Sequence, residues 1–173
     1  MIELIEKVEG VSEITDTLTL PYDMRQKSRQ RVELDSGREA AVLLPHGSRL
    51  FEGDRLRTSE GELVQVRAAP ERLSTVRTDD PVRLARACYH LGNRHVSLQI
   101  GAGWLRYQPD HVLDDMVRGL GLGVLREQVS FEPERGAYHG HGPGPSHSTH
   151  EHSHTHANTD ERHEHETPAG ERS

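Results

Sequence analysis

The chain has 173 residues, of which 32% are hydrophobic and 28% are charged, and its formal net charge is −7. This length suits one large domain or two small ones, and the negative charge argues against generic nucleic-acid binding, which needs a basic surface. The sequence has no run of about 20 apolar residues, which argues against a membrane span, and the single cysteine, Cys88, excludes a disulfide scaffold.

Residues 1–72 are predicted to form a β-rich domain. Residues 1–6 carry acids instead of the basic and apolar regions of a signal peptide, so we expect a cytoplasmic protein. Two hairpins are predicted, around residues 35–37 and around residues 59–62, because β-prone runs flank these turn-forming residues. No helical pattern of useful length appears in this part. The natural interpretation is a small antiparallel sandwich or barrel of short strands.

Residues 73–138 are predicted to form a second domain with the order β-α-β-β-α-β. Its helices begin near Asp80 and Asp110, both good N-cap residues, and Gly92 is the predicted C′ residue of the first helix. The predicted strands are residues 73–78, 95–100, 104–108 and 124–131. This order is the ferredoxin-like pattern, in which two helices cover one face of a sheet. The fold class is therefore α+β.

Two histidines of this second domain are candidate metal ligands. His95 begins a predicted strand and alternates with apolar neighbours, so its imidazole is expected on the bare sheet face, open to a ligand or to a second copy of the chain. Position alone favours a solvated surface histidine, because exposed histidines are common. His111 lies beside Asp114 and Asp115 on the polar face of the second helix. It is interpreted either as a surface residue or as an accessory ligand.

Residues 139–173 differ in composition from the rest of the chain. They contain only two apolar side chains, Ala157 and Ala169, so we predict a disordered tail. Nine of the 13 histidines are here and are candidate metal ligands: His139, His141, His147, His150, His152, His154, His156, His163 and His165. Neutral imidazole suits nickel, copper and zinc, whereas no thiolate is present to favour zinc clusters or Cu(I). An inert solubilising segment is the alternative.

Several ordered motifs of the second domain resemble one protein family. They are Tyr89-His90-Leu91-Gly92-Asn93-Arg94-His95, Gln99, Leu105-Arg106-Tyr107, Asp110-His111-Val112-Leu113, Phe131-Glu132-Pro133-Glu134 and Gly136-Ala137-Tyr138. Together they are similar to the urease accessory nickel chaperones of the UreE family, and the β-rich first part and the His-rich end of the chain also fit that family. Some members carry a further histidine two residues before the one that matches His111, and this sequence has Pro109 there instead.

The resemblance implies a homodimer of two-domain subunits that delivers nickel to apo-urease. It further implies partners, namely a urease accessory GTPase and the complex of the urease apoprotein with accessory proteins, and a partner-binding role for the β-rich domain. Within the Gly-Asn-Arg-His motif, it implies that His95 ligates metal at the dimer interface.

The sequence therefore predicts a nickel metallochaperone that is not an enzyme, because no catalytic triad, P-loop or HExxH motif is present. A metal buffer or detoxification protein that does not deliver its metal is the alternative. Ni(II) is the expected cargo, and Zn(II) or Cu(II) are further candidates in vitro, since nitrogen ligands favour copper over nickel. Neither nucleic acid nor membrane is expected as a partner.

Overall fold

Ten strands and three helices form in the described part of the chain, which in this computed structural model comprises residues 1–10 and 13–135. In chain order they are β1 (Ile2–Val8), β2 (Asp16–Leu20), α1 (Tyr22–Arg25), β3 (Arg29–Glu33), β4 (Glu39–Leu43), β5 (Arg55–Thr58), β6 (Leu63–Ala68), β7 (Pro70–Arg77), α2 (Pro81–Gly92), β8 (Gln99–Gly101), β9 (Trp104–Tyr107), α3 (His111–Gly119) and β10 (Val124–Ser130). None of the helices within these residues is long and apolar enough to cross a membrane.

The first six strands form one sheet with the order β2-β6-β5-β1-β4-β3. The two predicted hairpins are confirmed, because β3 pairs with β4 and β5 with β6 in antiparallel fashion. The prediction of an antiparallel sheet is wrong, since β1 is parallel to β4 and β2 is parallel to β6. Turn residues specify only neighbouring strands, whereas these parallel pairs join strands that are distant in sequence and bury apolar side chains from both.

The core of this sheet is built mainly from leucine. Its fully or almost fully buried members are Leu4, Leu18, Leu20, Leu34, Ala40, Val42, Leu44, Leu50, Leu56, Val64 and Val66. The sequence did not predict α1, which follows Pro21 and has only four residues, too few to show a helical period. Its last residue, Arg25, is completely buried.

The last four strands form a second sheet with the order β10-β7-β9-β8, and each neighbouring pair is antiparallel. The predicted order β-α-β-β-α-β is confirmed from β7 to β10. Both predicted N-caps are also confirmed, because the carboxylates of Asp80 and Asp110 accept hydrogen bonds from backbone N–H groups of the first turn of α2 and α3. Helices and sheet share a core to which α2 contributes Ala87 and Leu91 and α3 contributes Val117.

The face of this sheet that is opposite the helices carries side chains of the sheet's own strands. Thr75 points away from the helices, because the adjacent Ser74 contacts α3, and yet Thr75 is fully buried. Arg106, its neighbour on β9, pairs with Glu127 at 3.5 Å and stacks over the ring of Trp104 at 4.3 Å. A layer of polar and aromatic side chains therefore covers part of this face.

Candidate metal centre

His95 lies in the turn that ends α2. Its backbone N–H donates to the carbonyl oxygen of Gly92 at 2.9 Å, and the N–H of Val96 donates to the carbonyl of Leu91 at 3.3 Å. These two bonds form a Schellman motif, in which His95 is the C′ residue. The apolar contact typical of the motif is also present, since Leu91 and Val96 both pack in the second core. Helix hydrogen bonding and core packing together thus place His95.

The backbone of His95 is left-handed, with φ of 57°, and it is the only non-glycine residue with positive φ in residues 1–10 and 13–135. Glycine is usual at C′, and a side chain in this conformation costs about 1–2 kcal/mol. The prediction of Gly92 as the C′ residue is wrong, because Gly92 is still part of α2. The chain turns three residues later, where the turn allows Val96 to pack beside Leu91.

His95 does not belong to a strand, so the prediction of its orientation by strand alternation is wrong. β8 begins only at Gln99, and residues 95–98 form an irregular segment. The alternation predicted there is imperfect: Leu98 is buried but Ile100 is 40% exposed. His95 is nevertheless exposed, as expected, and its imidazole is open to a ligand. Its side chain is exposed because the residue lies in the turn that follows α2, beyond the end of the helix.

His111 is the first residue of α3 and is also exposed. The N-cap carboxylate of Asp110 accepts hydrogen bonds from the N–H groups of Val112 and Leu113 at 2.8 and 3.1 Å. This N-cap fixes the backbone at the start of α3, from which the exposed His111 side chain extends.

Asp114 is not on the polar face of α3, where the sequence placed it, but is buried with 1% exposure. One of its carboxylate oxygens, Oδ1, accepts hydrogen bonds from Ser74 Oγ at 2.8 Å and from the Tyr107 hydroxyl at 2.9 Å, and the other pairs with Arg126. Burial, and next the hydrogen bond to Asp114, raise the pKa of Tyr107. This cluster anchors α3, and with it His111, to three strands of the sheet.

No local sequence signal distinguishes Asp114 from the exposed Asp115. A period of four links Asp114 to Asp110 and Arg118, both polar, so periodicity predicts a solvated face. Only the neighbouring strands reveal the cluster, because its partners come from β7, β9 and β10. Ser74 and Arg126 face each other across adjacent strands, on the side that α3 covers.

One described chain does not assemble a complete metal site. Within residues 1–10 and 13–135, no three or more His, Cys, Asp or Glu side chains are grouped closely enough to hold an ion. The structure therefore does not bring His95 and His111 together with a third such ligand in the described part. The nine predicted tail ligands lie outside the described residues.

The segment after β10 runs beside the turn that carries His95. The backbone N–H of Glu134 donates to the carbonyl of Leu98 at 2.6 Å, and the N–H of Glu132 donates to Gln99 Oε1 at 3.2 Å. Leu98 follows His95 by three residues. The motif Phe131-Glu132-Pro133-Glu134 and the Gly-Asn-Arg-His motif are thus neighbours in space.

Large apolar side chains are exposed on the outer surfaces of both helices. On α2, Val82 is 58% and Tyr89 is 65% exposed, and on α3, Val112 is 57% exposed. Tyr89 precedes His95 by six residues in the sequence, and Val112 directly follows His111. Aromatic residues of this kind are enriched at interfaces between proteins. Exposed apolar groups therefore lie on the helix that precedes His95 and on the helix that His111 begins.

Comparison with known proteins assigns both parts of the chain to one family. Residues 2–69 match the family model of the N-terminal domain of the UreE urease accessory protein, and residues 71–165 match that of its C-terminal domain. The urease accessory protein UreE of Alkalilimnicola ehrlichii is 58% identical over 140 residues, which cover 81% of this chain and 86% of the relative. The protein of the same name from Pseudomonas putida strain W619 is 58% identical over 139 residues, 80% of this chain and 86% of the relative.

Proposed function

Because this chain belongs to the UreE family of urease accessory proteins, we propose that it is a metallochaperone that binds Ni²⁺ and delivers it to apo-urease. The observation that carries this proposal is the match of both domains, at 58% identity to a urease accessory protein over most of the chain. The accessory role implies contact with urease and with other accessory proteins. A urease accessory GTPase is the proposed partner in the delivery step, in the cytoplasm.

The proposed architecture has three parts: a partner-binding domain of residues 1–72, a metal-binding and dimerisation domain of residues 73–138, and a His-rich tail of residues 139–173. We propose the ferredoxin-like class for the second domain. Its support is the strand order β10-β7-β9-β8, together with the two helices that pack into one shared core.

We propose that His95 ligates nickel at the interface of a homodimer. The support is its exposure and the absence of a complete ligand set within the described residues of one chain. A two-fold axis near His95 brings the same residue of both subunits together, so that one ion is held between two imidazoles. The exposed Tyr89 and Val112 supply apolar surface for such an interface. His111 is proposed as an accessory ligand.

Two imidazoles alone do not hold an ion firmly, so further ligands have to come from the rest of the chain or from water. We propose that the tail histidines, His139, His141, His147, His150, His152, His154, His156, His163 and His165, supply them and also capture metal. A tethered ligand acts at a high effective concentration. Imidazole also binds Zn(II) and Cu(II), so these ions are expected to compete in vitro.

The release of nickel to a partner is explained by the ligands and the exposure of the proposed site. An exposed site of exchangeable imidazoles releases its ion to a stronger or more complete ligand set, whereas a closed four-cysteine site retains zinc as a structural element. The backbone turn of His95 is held by α2 and the core, so the site needs no refolding after release. The proposed cycle is capture by the tail, holding at His95 and transfer to the partner.

A nickel titration by calorimetry tests the site, with the full chain and with a chain that ends at Tyr138. We expect the truncated chain to stay dimeric and to bind one nickel ion per dimer, and we expect His95→Ala in that chain to abolish this binding. His46→Ala is the matched control, because His46 is also exposed and lies in the other domain. Unchanged binding in the His95→Ala dimer would overturn the ligand assignment.

Delivery is tested separately by activation of purified apo-urease with its accessory proteins. Nickel-loaded protein is expected to activate urease faster than the same amount of free nickel in the presence of a chelator. If the loaded protein only retains its nickel and activates no urease, the alternative of a metal buffer is correct.

A further inference from the structure

The short helix α1 links the first sheet to both segments that carry the candidate histidines. It lies between β2 and β3 in sequence, yet its side chains contact the segment after α2 and the segment before α3. Neither contact is predictable from sequence, since the partners are separated by 75 and 85 positions along the chain.

Tyr22 holds the segment that follows His95. Its hydroxyl is 3.2 Å from Ser97 Oγ, and its ring packs edge-on against Phe131 with 5.1 Å between centroids. Its backbone N–H donates to Glu71 Oε1 at 2.8 Å. Tyr22 is therefore fixed at three points, and Ser97 is only two residues from His95.

Asp23, the next residue of α1, holds the segment that precedes His111. Gln108 Nε2 donates to Asp23 Oδ1 at 3.2 Å. Gln108 directly follows β9 and begins the connection to the N-cap Asp110, and His111 follows three residues later. Two consecutive residues of α1 thus contact the two segments that carry the candidate ligands.

Arg25 anchors α1 in the interior of the protein. Its guanidinium is completely buried, donates to the carbonyls of Leu20 and Phe131, and pairs with Glu132 at 2.9 Å. Loss of one partner of a buried ion pair is strongly destabilising, because it leaves a charge without compensation. Glu132 also bonds Gln99 through its backbone N–H, so the anchor extends to the start of β8.

We propose that α1 positions the nickel site: Tyr22 and Asp23 are positioning residues that set the place of the His95 and His111 segments relative to each other. The inference rests on the proposed function, because it assumes that His95 binds nickel. It assigns to the first domain, besides partner binding, a direct influence on nickel affinity. Such positioning leaves the ligand side chains themselves unchanged. It alters only the geometry in which they coordinate the ion.

The test uses the full chain with Tyr22→Phe and Asp23→Ala, singly and together. Phenylalanine keeps the ring against Phe131 and removes only the hydroxyl. For the double variant we expect nickel affinity to fall about three- to tenfold, the range of one to two weak hydrogen bonds. Without nickel, amide hydrogen exchange of residues 93–98 should accelerate by a similar factor, while the urea midpoint stays close to that of the parent.

Matched controls remove similar groups from positions that make no side-chain hydrogen bond to described residues. They are Asp79→Ala for the carboxylate and Ser130→Ala for a hydroxyl, and both are exposed. Ser97→Ala removes the other half of the Tyr22 contact. If the contact is real, the effects of Tyr22→Phe and Ser97→Ala are not additive in the double variant.

The two proposals fail in different ways. If His95→Ala abolishes nickel binding but the α1 variants leave affinity and exchange unchanged, the positioning role is overturned and the proposed function stands. If exchange of residues 93–98 accelerates while His95→Ala leaves nickel binding intact, the nickel site of the proposed function is overturned, and with it the positioning of nickel.

Discussion

The turn that carries His95 and the helix start that carries His111 place the same side chain in opposite backbone environments. His95 follows the C-terminal end of α2 with a left-handed backbone, at a position that glycine fills at lower energy. His111 begins α3 with an ordinary helical backbone behind a well-formed N-cap. The backbone conformation of His95 therefore costs free energy, and that of His111 does not.

This difference bears on which of the two histidines is the better candidate for the principal ligand. Strained, non-glycine residues in the left-handed region concentrate at functional sites, and a glycine at position 95 would relieve the strain. The backbone at His111 is helical, a conformation that most residue types adopt without strain. The backbone therefore supports His95 as the principal ligand and His111 as an accessory one.

Among the substitutions that test this comparison, Asp114→Ala is expected to have the largest effect, and that effect is on stability. It leaves Ser74, Tyr107 and Arg126 without their common acceptor. We expect the free energy of unfolding to fall by about 2–4 kcal/mol, less than for a fully buried pair because Arg126 is partly exposed. Urea unfolding measures it, with Asp115→Ala, whose side chain is 73% exposed, as a control with little effect. A small loss for Asp114→Ala would show that the cluster does not anchor α3.

The second prediction concerns pH. Each imidazole must be neutral to bind metal, and an unperturbed histidine has a pKa of about 6.5. Lowering the pH from 7 to 5.5 should therefore weaken nickel binding by roughly tenfold for each ligand histidine, or about 100-fold for a pair. Titrations of the chain ending at Tyr138 measure this dependence. A pH-independent affinity would mean that carboxylates, and neither histidine, hold the ion.

The third prediction separates strain from function at His95. Glycine should increase the free energy of unfolding by up to about 1 kcal/mol because it relieves the left-handed backbone, while nickel binding is lost. Alanine should also lose nickel binding but gain no stability, since it keeps a Cβ in the same conformation. Thermal unfolding of the two variants compares them directly. If glycine is no more stable than alanine, the turn imposes no measurable strain.

The smallest effect is expected for His111→Ala. As an exposed residue outside any anchoring contact, it should change the free energy of unfolding by less than about 0.5 kcal/mol. As an accessory ligand, it should weaken nickel binding by only about two- to threefold in the same titration. A loss as large as that of His95→Ala would end the distinction between the two histidines.

Local signals in the sequence were sufficient where structure depends on near neighbours. The N-caps Asp80 and Asp110, both hairpins and the order of elements in the second domain are found as predicted. Hydrogen bonds within four residues determine caps and tight turns, so the residue types alone identify them. The short α1 and the parallel strand pairs were missed, because neither leaves a periodic or turn signal.

The sequence by itself determined the composition of the chain, the family motifs and the histidines that are available as ligands. Only the tertiary structure decided that His95 ends a helix instead of beginning a strand, that Asp114 is buried, and that α1 touches both histidine segments. The physical reason is the same in each case. The turn at His95 depends on the packing of Val96 beside Leu91, and the contacts of Asp114 and α1 join groups from elements that are separate along the chain. Such energies depend on which surfaces meet, and no pattern within a short window of sequence contains that information.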